Sequence, residues 1–115
     1  MKAREHIRLI LKQGRDGEKS IASQIPHWQG EAERLLADLQ RQQMRGGSTR
    51  ATGAAAAVLI EVVKEEREAF RHWLTEPGTP TDVKTDEIEQ ACEAVLSSLL
   101  VIVTDADSTR EQLLR

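Results

Sequence analysis

Ile88-Glu89-Gln90-Ala91-Cys92-Glu93-Ala94-Val95-Leu96-Ser97-Ser98-Leu99-Leu100-Val101-Ile102-Val103 is the stretch whose reading decides the fold. Ile88, Cys92, Val95, Leu99 and Ile102 step by 4, 3, 4 and 3, which is the spacing of a coiled-coil seam and not of a strand. A second helical pattern runs upstream from Ala54. There Ala55, Leu59, Val62, Glu66, Phe70 and Trp73 recur at helical spacing, and Val58, Val63 and Ala69 widen the stripe. Glu76-Pro77-Gly78-Thr79-Pro80 separates the two patterns, and Thr85 or Asp86 caps the second helix. Residues 54–103 therefore predict a helical hairpin. Positions 99–103 are apolar all round their helix, and such a helix needs cover on every side. A second copy of the chain is expected to complete that cover, so the hairpin is the element of association.

Composition agrees with an all-α reading. The chain has 115 residues, one domain's worth, with 3% aromatics and no Tyr, so its core is aliphatic. No apolar run reaches the roughly 18 residues of a membrane span. The start, Met1 to Leu11, is too short and too charged for a signal peptide, and the single Cys92 forms no internal disulfide. These features point to the cytoplasm and to no membrane partner. Charge is unevenly spread: residues 1–52 hold 10 Lys/Arg against 6 Asp/Glu, and residues 53–115 hold 6 against 13. A basic half is compatible with a nucleic-acid face.

The first half reads as three short helices, over residues 3–13, 18–25 and 28–44. Gly14-Arg15-Asp16-Gly17 is a turn, and Pro26, which lacks an N–H, ends the second helix or starts the third. Arg45-Gly46-Gly47-Ser48-Thr49-Arg50-Ala51-Thr52-Gly53 reads as a loop or linker. Beyond the hairpin, Ser108-Thr109-Arg110-Glu111 has the form of a capping box that opens a short terminal helix. The expected organisation is one domain, 1–115, comprising a three-helix half (1–45), a Gly-rich loop (46–53), and a hairpin with a terminal helix (54–115).

Ile21-Ala22-Ser23-Gln24-Ile25 through Leu36-Ala37-Asp38-Leu39, closing on Met44, resembles the helix-turn-helix of winged-helix transcriptional repressors. The resemblance covers roughly the first 50 residues. It implies a DNA-binding regulator that dimerises through its long helices, with Arg8, Lys12, Lys19, Gln29, Arg34, Arg41, Arg45 and Arg50 supplying contacts to double-stranded DNA. Pro26 stands where that turn usually has Gly, and Glu31 and Glu33 on the would-be recognition helix repel phosphate. A protein-binding adaptor or inhibitor remains the alternative. Its interaction residues would be Trp28, at a helix start, and the seam Ile88, Cys92, Val95, Leu99 and Ile102.

A hydrolase is a third reading. Glu65-Glu66-Arg67-Glu68 resembles the first half of the acidic motif of MazG-type nucleotide pyrophosphohydrolases, which hold Mg²⁺ on paired helices. Glu65, Glu68, Glu89 and Glu93 would be the ligands. The second half of that motif is incomplete, because Glu89 is followed by Cys92 where Asp belongs. Lys64 and Arg67 interleave with these acids as in a solvated face. The residues thus favour a small non-enzymatic regulatory or interaction protein, homo-oligomeric, without cofactor or metal.

Overall fold

The structure, a computed structural model, describes the backbone of residues 16–114 and the side chains of residues 16–108. Helix α1 spans Asp16–Arg45, α2 spans Arg50–Leu74 and α3 spans Thr85–Leu114. Among the described residues there is no strand, so the fold is all-α. Each helix packs against both others, most extensively α2 against α3.

Each helix buries one seam. In α1 it is Ile21, Ile25, Trp28, Ala32, Leu35 and Leu39; in α3 it is Ile88, Cys92, Val95, Leu99, Ile102 and Ala106. Both step 4-3-4-3-4, the repeat that packs helices at small crossing angles. In α2 the buried residues are Thr52, Ala56, Val63, Phe70 and Trp73, with Leu59 half-buried between them. The stripe expected on α2 is therefore rotated at its first half. Ala55 and Val62 face out, and Ala56 and Val63 face in.

Two expected breaks are absent and a third is shortened. The chain does not turn at Pro26: residues 18–25 and 28–44 belong to one helix, with Pro26 inside it. No helix-turn-helix corner exists in this segment, because the α1 seam runs unbroken across the proline. Pro26 and Ala22, whose carbonyl the missing N–H would have bonded, are both exposed, so the lost bond falls on the solvent side of α1. The loop at 46–53 is shorter than expected, since residues 50–53 are already helical. Likewise α3 continues through 105–108 to Leu114, so no separate terminal helix opens at Ser108. Ala106 extends the α3 seam by one more step, which holds the helix together there. The helix expected at 3–13 lies outside the described residues.

The α1–α2 corner is tightly made. Gly46, at φ 68°, ends α1: its N–H bonds the Gln43 carbonyl at 3.3 Å and the Gly47 N–H bonds that of Gln42 at 2.8 Å, a paired closure that needs a left-handed residue. Buried Thr49 then donates its hydroxyl to the Ala106 carbonyl at 2.9 Å, clasping the corner to α3. Four residues on, a Cβ at Gly53 would lie 2.9 Å from that of Ala106, so α2 and α3 approach as closely as side chains permit. The α2–α3 loop is held differently. Gly78 takes φ 85°, Thr79 donates to the Trp73 carbonyl at 2.8 Å, and the Lys84 N–H donates to the Glu18 carboxylate at 3.0 Å.

Two outcomes follow from this packing. Gly53→Leu should separate α2 from α3 and lower stability by about 1–3 kcal/mol, read by urea denaturation. Cys92 is 0% exposed and burial pushes its thiol above the ordinary range. It should resist a thiol-specific disulfide reagent in the native protein and react at once in denaturant.

Candidate interaction surfaces

The expected interaction residues are not on the surface. Ile88, Cys92, Val95, Leu99 and Ile102 form the wall of α3 that packs inside the chain's own core. Trp28, expected near a helix start and partly exposed, is in mid-helix and 2% exposed. All six are spent on intramolecular packing, so none is a free anchor. The apolar run 99–103 is split by the helix. Leu99 and Ile102 point in, Val103 is half-buried, and Leu100 and Val101 are exposed.

The surfaces left over are two grooves. Along α1 and α3, Leu36 (40% exposed) and Val101 (54% exposed) stand on either side of a depression of about 340 Å³. Ala32, Val95 and Ile102 line it too, and its remaining walls are Gln29, Glu33, Ala94 and Ser98. One charged residue in that set contrasts with a chain in which 30% of residues are charged. The second groove, about 690 Å³, lies between the start of α1 and the end of α2. Ile21, Phe70 and Trp73 line it together with Glu65, Glu66, Glu68 and Glu76.

The cations expected to meet DNA are placed as follows. Arg8 and Lys12 lie outside the described residues. Lys19, Gln29, Arg34, Arg41, Arg45 and Arg50 are all exposed. Gln29 turns into the α1–α3 groove, away from Arg34. Arg34 donates to Glu31 at 2.8 Å and to Asp38 at 3.2 Å, and Arg41 donates to Asp38. The hydrogen bond to Glu31 raises Arg34, and the same bond holds Glu31 below the usual carboxylate range. A phosphate would have to displace these carboxylates. Over residues 16–114 the chain carries 10 Lys/Arg against 18 Asp/Glu.

Among the described residues, three of the four acidic residues of the hydrolase reading stand against arginines, and Glu65 does not. Arg71 grips Glu89 with two 2.8 Å hydrogen bonds and stands 3.9 Å from Glu68, while Arg67 bonds Glu93 at 3.1 Å. These pairs tie α2 to α3 along the outer edge of the hairpin. Among the described residues no three His, Cys, Asp or Glu side chains are grouped as a metal would need. No described helix is long and apolar enough to cross a membrane.

The Arg71 pair carries a pH signature. Its hydrogen bonds, opposed by burial, hold Glu89 below the usual carboxylate range. A carboxylate depressed in the folded state contributes its stability in full above its unfolded value, about 4.3 for Glu, and loses it as pH falls through the lower folded value. Glu89→Gln should therefore lower the melting temperature at pH 7 and converge with the wild type as pH falls below the depressed folded value of Glu89, measured by circular dichroism.

Comparison of the chain with protein-family models, with curated proteins and with solved structures gives no match, so the reading of function rests on these surfaces.

Proposed function

We propose that this protein is a small non-enzymatic interaction protein that self-associates through the α1–α3 groove and acts by binding protein. The observation that carries the reading is the Leu36–Val101 groove: two exposed aliphatic residues over an apolar floor, with Glu33 as the single charge among its walls. Depletion of charge around an apolar centre distinguishes the core of an interface from ordinary surface. A second copy fits by symmetry. If the helices α1 of two copies cross antiparallel with the twofold axis between Leu36 and Ala37, each Glu33 meets Gln40 of the other copy, and the two carboxylates stay apart. The charges elsewhere favour a protein partner over DNA, because Arg34 and Arg41 are already held by carboxylates of their own helix.

Sedimentation tests the reading. The wild type should sediment as a dimer at high micromolar concentration, and Leu36→Glu or Val101→Glu should give monomers of unchanged helicity, because neither side chain is in the core. A monomeric wild type at that concentration would remove self-association. Duplex retention at low salt, lost on Arg34→Ala, would replace protein binding by the DNA-binding regulator.

A further inference from the structure

We propose that the groove between the start of α1 and the end of α2 binds a cationic amphipathic helix of a partner protein. The inference deepens the protein-binding reading but uses a different surface from self-association. It begins with an exposed line on α2. Val58, Val62, Glu65, Ala69 and His72 follow one another at alternating steps of four and three, so they run down one side of the helix for about 21 Å. Val58 is 65% exposed and Val62 is 38% exposed. Two aliphatic side chains one turn apart therefore lead directly into the groove, whose floor is Ile21, Phe70 and Trp73.

The rim sets the sign of the partner. Glu65 lies on the line, and Glu66 and Glu68 stand beside it in the groove. Arginines of α2 do not neutralise this side, since Arg67 and Arg71 reach across to Glu93 and Glu89 of α3. Arg71 touches Glu68 only at 3.9 Å. Glu66 takes its hydrogen bond from the neutral amide of Gln24, at 3.3 Å, and among the described residues Glu65 makes no ion pair. An acidic rim repels phosphate and attracts Lys and Arg.

Trp73 supplies an observation of a different kind. It is a wall of this groove, 7% exposed, and its buried Nε1–H has no acceptor among the described residues. Gly17 is pressed against the indole so closely that a Cβ there would sit 2.3 Å from the ring. A buried donor left without an acceptor is unusual in a finished site. The geometry favours a helix over an extended strand. On one side of the α1–α2 pair α3 fills the furrow, and on the other side the furrow is open among the described residues, with its apolar residues at helical steps, the arrangement that helix-in-groove recognition uses.

The test uses the full chain and a defined probe: a fluorescently labelled 18-residue synthetic helix with Leu at steps of four and three and Lys at the flanking positions. A matched control carries Glu in place of Lys. Anisotropy should show saturable binding of the Lys helix that weakens as salt rises, with a change in tryptophan emission, and no binding of the Glu helix. Glu65→Lys combined with Glu68→Lys should weaken binding about ten-fold or more with the melting temperature unchanged. Val62→Asp should weaken it too, which separates seating in the groove from attraction to any acidic surface. Leu36→Glu, which addresses self-association alone, should bind the Lys helix like the wild type. Equal binding of both helices, or insensitivity to the Glu65/Glu68 pair, would overturn the proposal. So would a ten-fold gain in probe affinity on Arg8→Glu with Lys12→Glu, which would make the chain's own first residues the occupant.

Discussion

The bundle depends on α1 remaining one helix across Pro26. An interior proline costs about 3 kcal/mol, through the lost hydrogen bond and the crowding of the preceding turn. Against that cost stand Ile25, just before the proline, and Trp28, two residues after it, each worth roughly 1.5–3 kcal/mol when fully buried. A turn at residue 26 would throw the two halves of the seam out of register and forfeit more than the proline costs. Keeping the helix intact also sets its length, and that length lets α1 meet both α2 and α3 along a single continuous core.

Much of this was legible in the sequence, and the misreadings have physical causes. The α2–α3 hairpin and the α3 seam follow from periodicity alone, because a long run of 4-3 steps has no competing interpretation. The same rule applied to Ile21, Ile25, Trp28, Ala32, Leu35 and Leu39 would have shown α1 as one helix. A local signal, the proline, was weighed above a longer-range one. The corner at 46–53 was read from composition as a linker, yet Thr49 and Gly53 are polar or small because they fit against Ala106. That fit lies 57 residues away along the chain and has no local signature. The grooves were invisible for the same reason: Leu36 and Val101 are unremarkable apart and meaningful only together.

The charges divide by reach. On α1, Arg34 and Arg41 find carboxylates three or four residues away on their own helix, so those pairs say nothing about tertiary structure. On α2, Arg67 and Arg71 cross to α3 and bolt the outer edge of the hairpin, the one cross-helix ionic seam among the described residues. This use of arginine on one flank of α2 leaves carboxylates on its other flank uncompensated. Polarity of the surface is thus a by-product of how the hairpin is held.

The core is graded along its length. At the end where α2 begins it is built from Thr49, Thr52, Gly53, Ala56 and Ala106; at the opposite end it is built from Ile21, Phe70, Trp73 and Ile88. Small side chains allow close backbones but remove little apolar surface from water, so the two ends hold together for different reasons and with different strength. Thermal opening of such a body is directional. The threonine–alanine end buries the least apolar surface per residue, so it should give way first, with the Thr49 clasp as its latch. The groove that Trp73 walls sits at the other end, where large side chains are buried and a binding surface should keep its shape longer.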